Sequence, residues 1–406
     1  MISGITVFHL PSPQIFIYIA PSIIDEDFFM TPRERVRAAM KMQPVDKIPL
    51  MCQMSIGHML LQYPCSQADF WHDVHTFADG LVAMRALYRF DGILVSLHGH
   101  DPEWKRNIVS RRMTEEYEEI VWKNGDRTHY LFDDLPEHYA AAPRELTNIA
   151  DVTKNDLHQK LDFIPVSQGL KFYIHPDHRF DIFHELKNRV GDEYSLHGEI
   201  TSPFDYYLDF IGYQEGLMAM IDAPDQVKMI MAHYTEMIKE LAVAMCSHDI
   251  DAIKVSSPYA GSTFISPEFY AEFVMPYESE IAHAVRQTGV DIYTHTCGSI
   301  NDRLELMFDC GISGIECLDP EPLGNVELGD AFQRIGTRGF IKGNIDSVTI
   351  LLQGTKNDVV DDVRRRIETG KQYPGFILST ACSIAPHVSR EQIQLLRTLV
   401  DQHGKF

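Results

Sequence analysis

Eight short apolar segments, separated by stretches of helical periodicity, constrain this chain more than any other feature of its sequence. Such runs are typical of parallel strands that are buried on both faces. Eight strands alternating with helices predict an α/β fold, the closed (β/α)8 or TIM barrel. No GxGxxG motif follows the first segment, which disfavours a doubly wound dinucleotide-binding sheet. The predicted strands are Ile48 to Ser55, Gly92 to Leu97, Tyr194 to Thr201, Ala252 to Ser256, Asp291 to His295, Gly314 to Leu318, Gly339 to Gly343 and Gly375 to Thr380.

The helices between these strands carry recognisable start signals. Thr31, Pro32 and Glu34 combine an N-cap residue, a first-turn proline and a capping-box acid, and they predict a helix that runs to about Met42. Ser266, Pro267 and Glu268 form a similar signature. The other predicted helices are Ser266 to Thr288, Asn301 to Cys310, Asp358 to Thr369 and Ser389 to Asp401.

An insertion interrupts the alternation after the second strand. Glu116 to Leu131 alternates polar and apolar residues around Asn124-Gly125, a strong turn signal, and predicts a β-hairpin. Asp151 to Lys187 is then expected to form a loop and helices that lead to the third strand.

The first residues of the chain, Met1 to Phe29, differ from the rest. They contain no basic residue, so they lack the charged start of a signal peptide. Their apolar run is too short to span a membrane and is broken by prolines. We interpret this segment as a poorly ordered N-terminal extension, with Met30 as an alternative natural start, and residues 30–406 as the barrel.

Charge and cysteine usage narrow the functional classes. The chain has 58 acidic and 36 basic residues, a net charge of -22, which argues against a nucleic-acid phosphate backbone as partner. Seven scattered cysteines do not suggest a disulfide framework and are more typical of reduced thiols in a cytoplasmic enzyme. No segment is a candidate for crossing a membrane.

The strongest candidate site combines His295, Cys297 and Cys382. Polar side chains at the C-terminal ends of barrel strands point into the active site. His295 and Cys297 are two residues apart on the fifth strand, so they face the same way, and Cys382 ends the eighth strand. One imidazole and two thiols are ligands suited to zinc. The alternative is that the His-x-Cys pair is incidental and the cysteines are small apolar residues.

Other polar residues end neighbouring strands. Glu199 is a candidate fourth ligand or proton acceptor, or else the partner of a basic group. His197, deeper on the same face, is either a support for the site or a satisfied core histidine. His98 and His100 lack a third partner and are expected to face solvent. Further candidates for lining the pocket are Glu316, Asp319, Lys342 and Asn344.

Several segments together resemble the uroporphyrinogen decarboxylase superfamily. The resemblance covers nearly everything from Met30 onward, in the right order, and includes the sequence His295-Thr296-Cys297-Gly298. It implies a (β/α)8 barrel with its site at the C-terminal mouth. The matching segments are residues 30–35, 44–49, 265–270, 276–277, 295–298, 342–346, 354–355 and 375–380.

Within that superfamily, the resemblance favours one of two activities. The decarboxylases carry an arginine-rich stretch after the first strand, but residues 53–59 contain no arginine here. The decarboxylases also place a histidine where this chain has Cys382. The cobalamin-dependent methyltransferases, such as the methylcobalamin:coenzyme M type, instead have a His-x-Cys zinc motif with a distant cysteine. His295, Cys297 and Cys382 match that motif.

The resemblance implies a zinc-dependent methyltransferase that moves a methyl group between a corrinoid and a small molecule. The corrinoid (cobalamin) is expected on a separate partner protein, and the small methyl donor or acceptor is not identified. Two alternatives stay open. One is a decarboxylase of a porphyrinogen-like acid that uses Glu199, Asp205 or Tyr206 without metal, and the other is a non-catalytic barrel that binds a corrinoid or another partner. A homodimer is one candidate assembly, since dimers are common among barrels.

Overall fold

The computed structural model describes residues 29–142, 148–167 and 169–406. The strands of this part are β1 Gly92–Val95, β2 Ile108–Met113, β3 Tyr117–Trp122, β4 Arg127–Leu131, β5 Glu137–Tyr139, β6 Phe163–Ser167, β7 Leu170–Tyr173, β8 Ser195–Thr201, β9 Ala252–Ser256, β10 Asp291–Thr296, β11 Gly314–Cys317, β12 Phe340–Ile345 and β13 Phe376–Thr380. The helices are α1 Pro32–Met40, α2 Ile56–Gln62, α3 Gln67–His72, α4 Val74–Tyr88, α5 Asp181–Val190, α6 Pro203–Ile211, α7 Tyr213–Asp222, α8 Pro224–Met245, α9 Pro267–Phe273, α10 Met275–Gln287, α11 Leu304–Asp309, α12 Leu328–Ile335, α13 Lys356–Gly370 and α14 Arg390–His403.

A curled, parallel sheet of seven strands forms the centre of the molecule. Its order is β1-β8-β9-β10-β11-β12-β13, and every neighbouring pair is parallel. Helices connect successive strands, and several pack on them, for example α10 on β10 and α13 on β12 and β13. Parallel strands need such crossover connections. The parallel sheet and its connecting helices confirm the predicted α/β architecture.

The predicted first strand, Ile48 to Ser55, is not a regular strand. Residues 48–54 lie between the two edge strands, where Leu50 and Met54 form isolated parallel bridges with Leu378 and Ile384. The backbone N–H of Asp91 also donates to the Leu50 carbonyl, at 2.8 Å. Regular pairing fails because Pro49 has no N–H and the Leu50 N–H donates to the Asp91 side chain instead. This segment therefore occupies the position of an eighth strand with few ladder hydrogen bonds.

The Asp91 carboxylate ties this segment to two helices. It accepts hydrogen bonds from the Leu50 N–H at 2.7 Å, from Arg35 of α1 at 2.8 Å and from Arg397 of α14 at 2.7 Å. Asp91, Arg35 and Arg397 are all buried. A charge this well enclosed is tolerated only when its partners compensate it, so the three side chains depend on one another.

Helix α1 covers one end of the sheet. Its start is the predicted capping box, in which Thr31 accepts from the Glu34 N–H and Glu34 accepts from the Thr31 N–H. The apolar face of the helix packs in a cluster that includes Ala252 and Phe340, the first residues of β9 and β12. The amino ends of the strands are therefore closed, which leaves their carboxyl ends for a site.

The predicted helix from Ser266 to Thr288 is divided in two. Helix α9 ends at Phe273 and α10 begins at Met275, with Pro276 in its first turn. Proline has no N–H to continue the hydrogen-bond ladder of a preceding helix, but it is well accommodated at a helix start.

The insertion follows β1, which corresponds to the second predicted strand, and it contains more strands than expected. Strands β3 and β4 pair antiparallel around Asn124-Gly125, inside a four-stranded sheet of order β2-β3-β4-β5. Gly125 has a φ of 91°, a value that glycine adopts at little cost. The segment from Asp151 to Lys187, expected to hold only a loop and helices, also contains the antiparallel pair β6–β7.

The predicted N-terminal extension lies outside the described residues, except for Phe29. Among the helices of the described ranges, none has the length and apolar character needed to cross a membrane.

Replacing Asp91 by alanine should strongly destabilise the fold. The change would leave the buried Arg397 without its nearest counter-charge and Arg35 with Asp46 alone, and breaking such a buried pair costs about 3–5 kcal/mol. Urea denaturation would measure this loss. The control is Glu103→Ala, which removes an exposed partner of Arg106 and should change stability by less than about 1 kcal/mol. Equal, small effects of the two substitutions would contradict the role given to Asp91.

Candidate metal centre

The structure brings His295, Cys297 and Cys382 together at the carboxyl ends of β10 and β13. Their ligand atoms all lie within 4.8 Å of one another. His295 Nε2 is 3.3 Å from Cys297 Sγ, and Cys297 Sγ is 3.8 Å from Cys382 Sγ. All three side chains are buried or partly buried.

This donor set fits a zinc ion. Zinc in proteins prefers four tetrahedral ligands from cysteine and histidine, with zinc–sulfur bonds of about 2.3 Å. The edge of such a tetrahedron is about 3.8 Å, which is the separation of the two sulfurs. Three protein ligands leave a fourth position for a substrate, as catalytic zinc sites do.

A carboxylate on the neighbouring strand orients the histidine. Glu316 of β11 stands directly beside His295 in the strand register, and its Oε2 lies 3.0 Å from His295 Nδ1. A carboxylate at one ring nitrogen orients the imidazole and leaves Nε2 for a metal. Burial and Lys254 act against protonation of His295, but hydrogen bonds with Cys382 and Glu316 raise its pKa to about 9. His295 can bind a metal only as a neutral imidazole, so its ring must release a proton when the metal binds. Metal affinity therefore depends on pH.

Two lysines enclose Glu316. Lys342 of β12 forms an ion pair with it, and the Nζ of Lys254 on β9 lies 3.8 Å from its Oε2. Glu316, Lys254 and Lys342 are all buried. Burial would raise the pKa of Glu316, but the charges of Lys342 and Lys254 outweigh it and hold the pKa well below its usual range. Glu316 is therefore a permanent anion beneath the cluster.

A third thiol, that of Cys317 at the end of β11, lies next to the cluster. Hydrogen bonds from Cys317 and Cys382 lower the pKa of Cys297, whereas that of Cys382 is raised, first by its hydrogen bond with Cys297. Cys297 is thus the first of these thiols to ionise. The only sequence signal for Cys317 was its position at the end of a strand.

The backbone is strained beside the site, at the end of β11 and the start of the following loop. Cys317 and Leu318 have φ values of 86° and 56°, which residues other than glycine rarely adopt. The resulting turn places the Asp319 carboxylate where it accepts hydrogen bonds from the Gly298 N–H, at 2.7 Å, and from Cys317 Sγ, at 3.2 Å. Asp319 therefore connects the loops that follow β10 and β11.

Glu199 is not part of the three-residue cluster. Its Oε1 lies 3.1 Å from Lys254 Nζ, and its Oε2 has no hydrogen-bonding partner among the described residues. Since Lys254 also faces Glu316, the two carboxylates share one buried cation. The structure thus shows the basic partner that was one of the expectations for Glu199.

His197 is a satisfied core histidine. Its Nδ1 lies 3.0 Å from the Tyr293 hydroxyl and its Nε2 lies 3.1 Å from the Ser195 hydroxyl, so both ring nitrogens have partners. Asn344, expected to line the pocket, donates instead to the Leu318 carbonyl at 2.9 Å.

The expectation that His98 and His100 face solvent is wrong. Both are buried, with His98 stacked near Phe180 and His100 between Phe77 and Phe172. Burial lowers their pKa values to about 4 and about 3, so both rings are neutral at physiological pH. Aromatic neighbours that are distant in sequence accommodate these rings, and spacing alone did not reveal them.

Asp205 and Tyr206 lie at the start of α6 and are engaged in local contacts. Ser202 donates to the Asp205 carboxylate at 2.5 Å, and Tyr206 donates to the Phe163 carbonyl at 2.6 Å. Burial raises the pKa of Asp205 to about 8, and the nearby Glu278, itself raised to about 7 by burial, adds to this effect.

The chain belongs to the uroporphyrinogen decarboxylase (URO-D) family, whose model matches residues 168–403. The methylcobamide:CoM methyltransferase MtbA of Methanosarcina acetivorans is 23% identical over 368 residues, 90% of this chain and 96% of that protein. MtaA of Methanosarcina barkeri is 24% identical over 373 residues, 92% of this chain and 98% of that protein. A uroporphyrinogen decarboxylase of Carboxydothermus hydrogenoformans is 23% identical over 53% of this chain and 61% of its own length.

A methyltransferase from Methanosarcina mazei has a similar fold, with a TM-score of 0.68 and 19% identity over 92% of this chain and 99% of that one. These relatives confirm the resemblance seen in the motifs. The names of the relatives that span most of the chain agree with the expected enzyme class, a methyltransferase.

The neutral carboxyl group of Asp205 makes the stability of the fold depend on pH. Its pKa in the folded state, about 8, lies above the ordinary value of 3.8. Folding then takes up a proton between these values, so the contribution of Asp205 is complete at about pH 4 and below and is lost as the pH rises through 8.

Asp205→Asn should therefore lose less stability than the wild type between pH 5 and pH 8, by on the order of 1 kcal/mol or more. Denaturant unfolding at each pH measures the difference. The control is Asp222→Asn at an exposed position, which should follow the wild-type profile. Parallel profiles for wild type and Asp205→Asn would show that Asp205 is ionised in the fold.

Proposed function

We propose that this chain is a zinc-dependent enzyme that transfers a methyl group between a corrinoid and a small thiol. One observation carries the proposal: an imidazole and two thiols from distant parts of the chain meet with tetrahedral spacing at the open end of the sheet. The methylcobamide:CoM names of the relatives that span most of the chain support a corrinoid as one reactant.

In this proposal His295, Cys297 and Cys382 hold the zinc ion. The chemistry that zinc supplies at such a site is Lewis acidity, which lowers the pKa of a substrate thiol and makes its sulfur nucleophilic. Two cysteine thiolates keep the net charge of the site low, which preserves the nucleophilicity of the substrate sulfur. A thiol therefore fits this donor set better than a carboxylic acid.

The side chains around the cluster have supporting roles. Glu316 orients the His295 ring, and Lys342 and Lys254 keep Glu316 ionised. We assign to Glu199 the role of accepting the thiol proton, because its Oε2 lacks a partner among the described residues and its Oε1 is already fixed by Lys254.

Each bond broken in the proposed reaction is matched by a bond formed. The substrate S–H bond breaks, and its proton passes to the carboxylate of Glu199. The sulfur forms a bond to the methyl carbon while the carbon–cobalt bond breaks, and that electron pair stays with the corrinoid. The corrinoid is bulky, so we expect it to be presented by a separate protein that docks over the carboxyl ends of the strands.

Decarboxylation is the weaker alternative for this site. It was expected to use Glu199, Asp205 or Tyr206 without metal. The Tyr206 hydroxyl, however, is engaged with the Phe163 carbonyl, and Asp205 is buried against Ser202. Neither side chain is therefore arranged to bind a substrate that carries several carboxylates. The decarboxylase relative described above also covers only about half of the chain.

The purified protein should contain about one zinc ion per chain, and Cys297→Ser or Cys382→Ser should lose most of it. Each substitution removes one of three protein ligands, while the serine hydroxyl is a poor replacement for a thiolate. Elemental analysis after dialysis measures the metal content. Cys65→Ser is the control. Cys65 lies outside the cluster, so this variant should retain the metal. Full zinc occupancy in the double variant Cys297→Ser/Cys382→Ser would exclude this site.

Methyl transfer itself is tested by the absorbance of methylcobalamin mixed with the enzyme and coenzyme M. The wild type should convert the methylated corrinoid spectrum to the reduced one, and Cys382→Ser should lower the rate at least about 100-fold. Glu199→Gln should lower kcat by a larger factor than it changes KM, because Glu199 accepts a proton in the reaction. If the zinc-loaded enzyme transfers no methyl group to any of a broad panel of thiols, the proposed function is wrong.

A further inference from the structure

A cavity lies between α3 and the insertion that follows β1. It is enclosed by the loop after β1, by α3, by the β2–β5 sheet and by the β6–β7 hairpin, and its volume is about 400 Å³. Small-molecule sites generally have volumes of about 300–1,000 Å³. None of its lining residues belongs to the His295, Cys297 and Cys382 cluster.

Flat aromatic rings dominate the walls of this cavity. All three tryptophans of the chain, Trp71, Trp104 and Trp122, line it. His72 stacks on Trp104 with ring centroids 4.7 Å apart and meets Trp122 edge-on at 5.3 Å. Phe172 contacts Trp71 edge-on at 5.6 Å on another side. We call this space the aromatic cavity, lined by Trp71, His72, His100, Trp104, Trp122 and Phe172.

One polar side chain of the aromatic cavity is buried without a partner. His100 is 3% exposed, and neither of its ring nitrogens has a hydrogen-bonding partner among the described residues. The ring is neutral at physiological pH, so one nitrogen is a donor and the other an acceptor. Polar groups in this situation are normally paired, so His100 points to a ligand with a hydrogen-bonding group.

The charges around the aromatic cavity balance. Two acids and two lysines line it, namely Asp101, Asp126, Lys123 and Lys171. Asp126 is 3.3 Å from the His138 ring, and Lys171 is 2.9 Å from Asp209. The lining therefore presents no excess of either sign, which favours a neutral ligand over an organic cation or anion.

We propose that the aromatic cavity binds a small, neutral, planar aromatic molecule that carries a hydroxyl or similar hydrogen-bonding group. The ring of the ligand packs against the tryptophan walls in offset or edge-on contacts, which planar rings prefer. Its polar group pairs with His100. This site does not depend on the proposed methyl transfer, because it shares no residue with the metal cluster.

Intrinsic fluorescence reports on this site directly, because every tryptophan of the protein lines the cavity. Phenol is the probe, and isothermal titration calorimetry provides a second measurement free of absorbance effects. Phenol should change the fluorescence saturably and bind more tightly than cyclohexanol, its non-planar counterpart, and than toluene, which lacks the hydroxyl. Benzoate and benzyltrimethylammonium test the charge preference and should bind more weakly than phenol.

Two variants separate the ring contacts from the hydrogen bond. Tyr173→Ala removes a ring that lines the cavity and is 66% exposed, so the fold should tolerate the change. Phenol should then bind about fivefold more weakly. His100→Phe should abolish the preference for phenol over toluene, which we expect to be about fivefold to tenfold in the wild type.

The matched control is His98→Phe. His98 is also buried, but it does not line the cavity, so phenol binding should be unchanged. Cys297→Ser should likewise bind phenol normally even if it loses zinc. The proposal is overturned if phenol gives no saturable signal, if cyclohexanol or the cation binds as tightly, or if Tyr173→Ala binds phenol like the wild type.

Discussion

The polar interior at the open end of the sheet depends on the buried carboxylate of Glu316. This side chain meets His295 on one side and Lys342 and Lys254 on the others. Two buried ammonium groups in an apolar shell would be very costly without a counter-charge. The strand register supplies that charge, because Glu316 lies opposite His295 on β10 and opposite Lys342 on β12. The same carboxylate thus compensates the lysines and orients the histidine.

The curl of the sheet explains how the cysteines meet. β10 and β13 are separated by β11 and β12, and three steps between neighbouring strands span about 14 Å in a flat sheet. Nevertheless, the sulfurs of Cys297 and Cys382 are 3.8 Å apart. The sheet must therefore curve so strongly that the residues following these two strands reach towards a common centre. Residues 48–54 continue this curve, since they contact both edge strands although they pair only at isolated bridges.

The sequence was sufficient to predict features that depend on local periodicity. Residues two apart on a strand share a face, so the pairing of His295 with Cys297 followed from spacing, and the Thr31 capping box followed from local chemistry.

The role of Glu316 could not be predicted, because it depends on the register of four strands. The β6–β7 pair was missed because Pro165 interrupts its apolar run, and proline usually argues against a strand. The burial of His98 and His100 depends on phenylalanines from distant segments.

The metal centre and the aromatic cavity differ in construction as well as in lining. Metal ligands must be held within a few tenths of an ångström, and the ends of buried parallel strands provide that rigidity. The aromatic cavity is instead built from the antiparallel strands inserted after β1 and from the short helix α3, which precedes β1. Contacts between flat rings tolerate small shifts. Because the insertion follows β1, it leaves the charged contacts among β9, β10, β11 and β12 undisturbed. The insertion and α3 can therefore form a ligand site without altering the geometry that places His295, Cys297 and Cys382.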